Sequence, residues 1–321
     1  MVVCKFGGSS VINPKAILNI KKVSENKSRK VFVFSAIGKR FKNDIKLTDL
    51  LIEFCKSNNE IKGQILDLII QKFATLSRLL KIKFDLNIIK EDLLKNKNRN
   101  YIISRGEYYT ALFFSEYLKI IYVPAGELIV FNGKKIDYNK TQTNLLSALN
   151  KYGRIITGGF YGLNQSNKIV LMKRGGGDVS GAILAKVINA DTYENYTDVC
   201  GIKPINPKII KNSKTIKRLS YEDLNVLTKN DCSALSNEAV KILNKTEIKT
   251  LIINTFDLQG DKTVVTNENN MVKFICFKGD KITAKVGNKN FKIISDKRYM
   301  ISNLKNLARL INLVNWVWQK F

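Results

Sequence analysis

Histidine is missing from all 321 residues. That absence removes Ser-His-Asp and Cys-His nucleophilic catalysis, histidine metal sites and histidine general bases together. Cysteine is sparse: Cys4, Cys55, Cys200, Cys232 and Cys276 are odd in number, far apart and never arranged as CxxC. A structural zinc site or disulfide framework is therefore not expected, and the thiols read as reduced. No stretch approaches the ~20 apolar residues that a membrane helix needs. Met1-Val2-Val3-Cys4-Lys5-Phe6 runs straight into structure, without a basic segment, a long apolar core and a small-residue cleavage site. The expectation is a soluble, cytoplasmic protein with no membrane partner. Low-complexity linkers and internal repeats are also lacking.

Acidic residues are in short supply. Lys and Arg total 54 against 27 Asp and Glu, a net charge of +27. The basic residues are mostly lysines spread among Asn and Ile, and no helix-turn-helix, zinc finger or aromatic-interleaved basic motif accompanies them. Attraction to anionic small molecules such as ATP fits this pattern better than nucleic-acid binding, and no nucleic-acid partner is expected. Without histidine, chemistry rests on Lys, Arg, Asp, Glu, hydroxyls, backbone N–H groups or a carried cofactor. Phosphoryl transfer suits that set, because it depends on positioning and charge neutralisation more than on a tuned base.

The order of elements points to an α/β fold. Val2 to Phe6 reads as a strand broken by Gly7-Gly8, and Asn13-Pro14 as an N-cap with proline in the first turn. Ala16, Ile17, Ile20 and Val23 line one helical face, and Val31 to Phe34 is an apolar run suited to a strand buried on both sides. This βαβ rhythm implies a parallel-rich sheet covered by helices. Residues 45–95 read as helix-rich. Further helices are expected over Glu107 to Lys119, Ser180 to Asn189, Tyr221 to Leu227 and Asn237 to Leu243. Strands are expected at Ile120 to Pro124, Arg154 to Thr157 and Asp191 to Val199. Beyond about residue 260, Val272 to Phe277 and Lys281 to Val286 resemble short strands. A final apolar stripe (Leu304, Leu307, Leu310, Ile311, Val314, Trp318) reads as a helix docking on the core or on a second subunit, which makes a homodimer the expected assembly, with membrane-surface binding the lesser alternative because Lys and Arg flank it.

Four motifs carry chemistry. In Lys5-Phe6-Gly7-Gly8-Ser9-Ser10, the glycines either make a plain tight turn or let the backbone approach phosphate oxygens, with Lys5 at the strand end placed to neutralise a transferring phosphoryl group. In Arg174-Gly175-Gly176-Gly177-Asp178-Val179-Ser180, a glycine nest opens a helix. Arg174 offers a fork for a carboxylate, and Asp178 a partner for an ammonium group or simply an N-cap. Glu107 in Ser104-Arg105-Gly106-Glu107 either answers a helix dipole or holds a substrate amino group. Thr197-Asp198-Val199-Cys200-Gly201, followed by Asn206-Pro207-Lys208, is either a nucleotide edge or a surface loop.

Taken in order, KFGGSSV, FSAIGKR with Leu47-Thr48-Asp49-Leu50-Leu51, SRGE, GGFYG, KRGGGDVSGAILA and NADTYENYTDVCGI resemble the aspartokinases of the amino-acid-kinase family along residues 1 to about 260. The resemblance implies a three-layer α/β/α catalytic domain over residues 1–262 with a mainly parallel central sheet. Residues 263–321 are then a small α+β appendage, the remnant of an ACT-like regulatory region. It implies ATP-dependent phosphorylation of the side-chain carboxylate of L-aspartate, the first step towards lysine, diaminopimelate, threonine and methionine. ATP phosphates would meet Lys5, Gly7, Gly8 and Ser9, with Lys5 the electrostatic catalyst and Asp178 the second catalytic residue, and the nucleotide edge would be Thr197, Asp198, Lys203 and Lys208. Aspartate would be held by Thr48, Glu107, Arg174, Gly175, Gly176 and Asp178. Mg²⁺ would ride on ATP oxygens, with no dedicated protein metal site.

The sequence also departs from that family. Gly177 replaces the usual serine, Lys203 a tyrosine and Lys208 an arginine, and the segment Asp231 to Asn237 lacks the family's lysine and histidine. Weakened ATP affinity and weakened or absent feedback inhibition by lysine and threonine are the expectations. A related carboxylate kinase with another acidic substrate, or a degenerate ligand-binding pseudokinase, is the alternative.

Overall fold

A computed structural model describes residues 1–173, 175–205, 213–230, 233–270, 272–278, 281–286 and 289–294. The chain opens with β1 (Val2–Phe6), α1 (Pro14–Glu25) and β2 (Arg29–Phe34). The Asn13 side chain accepts from the amides of Lys15 and Ala16, and Pro14 fills the first turn, where a missing N–H costs nothing. Four helices follow: α2 (Leu47–Phe54), α3 (Asn59–Leu80), α4 (Asn87–Lys95) and α5 (Arg99–Leu118). The middle of the chain forms β3 (Ile121–Tyr122), α6 (Ala125–Leu128), β4 (Val130–Asn132), β5 (Lys135–Ile136), α7 (Tyr138–Tyr152), β6 (Ile155–Gly158), β7 (Tyr161–Asn164) and β8 (Ile169–Leu171). Then come α8 (Gly176–Val187), β9 (Thr192–Thr197), β10 (Arg218–Ser220), α9 (Tyr221–Lys229), α10 (Asn237–Leu243), β11 (Lys249–Asn254) and β12 (Thr263–Thr266). The last described elements are β13 (Lys273–Lys278), β14 (Lys281–Val286) and β15 (Lys289–Ile294).

Eight strands build the main sheet in the order β10-β12-β11-β9-β1-β2-β6-β3. Every neighbouring pair is parallel except β11 with β12. Strand side chains alternate between faces, so β2 sends Val31 and Val33 to one core and Phe32 and Phe34 to the other. The first core is closed by α7, α8, α9 and α10, through residues such as Leu145, Ile183, Leu224 and Val240. The second is closed by α1, α2, α3 and α5, through Ile17, Leu50, Ile69 and Phe113. Each fully buried apolar side chain contributes roughly 1.5–3 kcal/mol. The result is the expected three-layer α/β/α arrangement.

The register places the functional edge. Phe6 pairs with both Tyr196 and Phe34, and Phe34 pairs with Gly158. The carboxyl ends of β9, β1, β2 and β6 therefore lie level. There α1 leaves towards one face while α8 serves the other, the crevice-forming arrangement of open α/β sheets.

A smaller sheet, β5-β4-β7-β8, flanks this edge, and β13-β14-β15 form a third, antiparallel sheet. The third sheet is tied to the body by the Ile275 amide on the Pro204 carbonyl at 2.7 Å and by a buried Lys285–Asp223 ion pair. The expected division after residue 262 falls inside the main sheet, because Thr263–Thr266 is its strand β12, between β10 and β11. The expected helix from Glu107 begins earlier, at Arg99, behind an Asn98 cap, and that expected from Ser180 begins at Gly176. The apolar stripe from Leu304 to Trp318 lies outside the described residues. No helix among the described residues is long and apolar enough to cross a membrane.

Candidate active site

Two turns meet at the level strand ends. The turn after β1 carries Gly7, Gly8 and Ser9, and the turn after β2 carries Ser35, Ala36, Ile37 and Gly38. The Gly38 amide donates to the Gly8 carbonyl at 3.0 Å, and the Ser35 amide to the Phe6 carbonyl at 3.0 Å. A Cβ on Gly8 would meet the Ala36 carbonyl oxygen at 2.6 Å, and one on Gly38 would meet the Gly8 backbone at 2.8 Å. Both glycines are thus required by the backbone approach of one turn to the other. Among the described residues, the Gly8 and Ser9 amides have no acceptor, which leaves them free to meet an anion.

Beside these turns lie three ionisable side chains. Lys5 Nζ stands 2.7 Å from Asp178 Oδ1, with both side chains nine-tenths buried. The other Asp178 oxygen accepts the Ser236 amide at 2.9 Å. Asp178 is therefore not an N-cap: Gly175, at φ 85°, holds that position. The third group, Glu107, sits in the middle of α5 rather than at a helix start, so it answers no dipole. Burial pushes its carboxyl up to about 8, and Lys5 with the Gly159 and Ala36 amides offsets only part of that. Its Oε2 is buried without a hydrogen-bond partner. Glycines make room for this cluster: a Cβ on Gly159 would meet Glu107 Oε2 at 2.7 Å, and one on Gly177 would meet Ser35 Oγ at 2.5 Å. The space a serine would need at 177 is taken by the Ser35 side chain.

A cleft of about 440 Å³ reaches this cluster at Glu107, with Lys5 and Asp178 set behind its lining of Gly8, Ser9, Thr48, Glu107 and Asp198 together with Ser35, Ala36, Ile37, Gly38, Lys39 and Lys46. The first five were expected from the sequence. Of the second group, Ser35 to Lys39 enter only as part of the FSAIGKR motif, and Lys46 belongs to none of the motifs. The signal for Ser35 to Gly38 was the repeat of the same pattern, an apolar strand run followed by small residues and glycine.

The remaining expected residues are distributed around the cleft. Gly176 is buried against Phe160, and Gly175 lies against Ser236. Thr197, at the end of β9, places its hydroxyl 3.3 Å from Asp198 Oδ1, while its carbonyl accepts from Thr255. Lys203 is not part of the cleft lining; its Nζ donates to Thr215 Oγ1 at 2.8 Å. Arg174, Lys208 and the pair Asp231-Cys232 lie outside the described residues.

Comparison with known proteins agrees with this geometry. The sequence is 28% identical to aspartokinase 3 of Bacillus subtilis over 291 residues, covering 84% of this chain and 64% of that protein. It is 23% identical to an aspartokinase of Chlamydia trachomatis over 283 residues, covering 82% and 63%. The chain thus spans a little under two thirds of the length of these curated relatives. Among solved structures, the aspartate kinase of Clostridium acetobutylicum superposes with a TM-score of 0.77 at 29% identity, over 88% of this chain and 66% of that one. Aspartokinase III of E. coli, in complex with aspartate and ADP, shares the fold with a TM-score of 0.74 at 20% identity, over 86% and 67%. The model of the amino acid kinase family matches residues 1–254, the span that carries both glycine turns, the Lys5–Asp178 pair and Glu107, and the chain belongs to that family.

Proposed function

We propose that this chain phosphorylates the side-chain carboxylate of L-aspartate with ATP, giving 4-phospho-L-aspartate. The observation that carries the reading is the meeting of Lys5, Asp178 and Glu107 beside the glycine turn whose Gly8 and Ser9 amides are free. The backbone amides and Lys5 suit the phosphates. Thr48 and Glu107, which also line the cleft, suit the acceptor, with Arg174 the cation for its α-carboxylate. The names of the relatives above support the same substrate.

In the step itself, one acceptor carboxylate oxygen forms a bond to the γ-phosphorus. The bond from that phosphorus to the bridging oxygen breaks, and its electron pair leaves on ADP. An ionised carboxylate needs no base at pH 7, consistent with the missing histidine. Lys5 lowers the barrier by offsetting charge that builds on the transferring group. Asp178 holds the Lys5 ammonium in place, anchored in turn by the Ser236 amide.

The donor set fits Mg²⁺ carried by phosphate oxygens rather than by the protein. Among the described residues no three acidic or thiol side chains cluster. Of the carboxylates at the site, burial favours the protonated form of Glu107, Asp178 is paired with Lys5, and Asp198, in the cleft lining, is exposed and available to a bound cation. When bound, the cation would shield β- and γ-phosphate charge.

A steady-state assay of ADP formation with MgATP and L-aspartate, against L-glutamate, N-acetylglutamate and UMP as acceptors, tests the reading. Aspartate-dependent turnover well above the other three is expected. Equal or greater turnover with another acceptor would replace the substrate, and no turnover with any would end the kinase reading.

A further inference from the structure

The cleft wall formed by residues 37–47 is a closed loop. The Leu47 amide donates to the Ile37 carbonyl at 3.1 Å and so joins its two ends. At its centre Asp44 is 7% exposed. Its Oδ2 accepts from the Arg40 amide at 2.8 Å and Arg40 Nε at 3.0 Å, and its Oδ1 from Arg40 Nη2 at 3.2 Å and the Ile45 amide at 3.0 Å. Lys72 Nζ completes the set at 2.7 Å from Oδ2.

Lys72 is unusual for its position. It is 1% exposed, on the face of α3 that otherwise buries Ile65, Ile69, Phe73 and Leu76. Taking an ammonium and a carboxylate out of water costs several kcal/mol per ion, and a buried pair commonly contributes no more stability than an apolar pair of the same volume. An aliphatic residue would therefore serve the core at least as well. What the pair adds is direction: it fixes one loop atom to one point on a long helix.

That loop presents Lys39 and Lys46 to the cleft, Lys46 standing at the N-cap of α2 just before Thr48. An acidic amino acid brings two carboxylates. The other polar side chains of the described cleft lining are hydroxyls and acids (Ser9, Ser35, Thr48, Glu107 and Asp198), which leaves Lys39 and Lys46 as its cations, and Arg174 accounts for one carboxylate only. We propose that Lys39 and Lys46 bind an acceptor carboxylate, and that the buried Asp44–Lys72 pair is the anchor that positions them. Lys72 is accordingly a positioning residue, acting through the loop. The inference rests on the reading of this cleft as an amino-acid kinase site.

Steady-state kinetics on the full chain test it with three variants: Lys39→Ala/Lys46→Ala, Lys72→Met, and all three changes combined. The two exposed lysines can be removed without disturbing the core. Their loss should raise KM for aspartate by about 10-fold or more, the scale of one charged hydrogen bond, with kcat and the KM for ATP changed less than about 3-fold. Lys72→Met should reproduce that pattern, and the triple variant should be no worse than the double one. Should Lys72→Met not fold, Arg40→Met, which alters the same node nearer the surface, takes its place. An unchanged aspartate KM in either set, an equal loss of every kinetic constant, or effects that multiply in the triple variant would each overturn the proposal. A wild type without aspartate-dependent turnover would instead sink the kinase reading itself, and this inference with it.

Discussion

Lys5 and Asp178 come from opposite halves of the chain and meet at 2.7 Å, one at the end of the first strand and the other in the first turn of α8. Neither position is informative alone. Together they hold a cation in a fixed orientation beside the turn that carries the open Gly8 and Ser9 amides.

Lys5→Met should lower kcat by about 100-fold or more, the usual scale for a group that offsets charge in the transition state. Removing one member of a buried pair also leaves the other uncompensated, at a cost of about 3–5 kcal/mol. The double variant Lys5→Met/Asp178→Asn should recover much of that stability in urea denaturation but none of the rate. Recovery of kcat in the double variant would show that Lys5 serves only the fold.

Glu107 makes stability depend on pH. Its folded carboxyl is raised from 4.5 to about 8, so the folded state holds a proton that the unfolded chain has released. The contribution is complete below 4.5 and is lost as pH rises towards 8, at up to roughly 1.4 kcal/mol per pH unit. Urea midpoints measured from pH 5 to 9 should fall across that window in the wild type. Glu107→Gln should flatten the slope.

The same proton reports substrate binding. An acceptor ammonium beside Glu107 favours the ionised carboxylate, so aspartate should expel up to one proton at pH 7. Calorimetric titrations in two buffers of different ionisation heat would count it. Zero release would place the ammonium elsewhere in the cleft.

Gly8→Ala and Gly63→Ala make a matched pair. At Gly8 the new methyl would press on the rigid Ala36 carbonyl at 2.6 Å, and a loss of about 1–3 kcal/mol is expected. At Gly63, exposed in α3, nothing lies within 4 Å, and a gain of about 0.5–1 kcal/mol is expected from helix propensity alone. Chemical denaturation of both variants checks the signs.

Local signals made much of this legible in the sequence. Val2–Phe6, Asn13-Pro14 and the apolar Val31–Phe34 run each announce an element through nearest neighbours, and collinear glycine motifs marked both turns. The start of α5 was hidden for a physical reason. Its residues Ile102 to Glu107 are all buried, apolar and polar alike, so no amphipathic stripe betrays the helix and Glu107 reads as a terminus. The short strands β7 and β8, each three or four residues long, gave no alternation to count. Lys72 was invisible because its partner is 28 residues away, in a loop whose conformation no local rule sets.

The level ends of β9, β1, β2 and β6 divide this molecule's tolerance to change. A residue inserted within any of those strands would turn its side chains to the wrong core and also shift its turn by about 3.3 Å, so one lesion would damage folding and chemistry at once. A residue inserted in the exposed stretch 41–43, or beyond Thr197, would leave the ladders and the Gly8–Gly38 contact intact and reshape only the rim. Such a protein can change which molecules it accepts by drift in its turns while the hydrogen-bonded register beneath stays as it is.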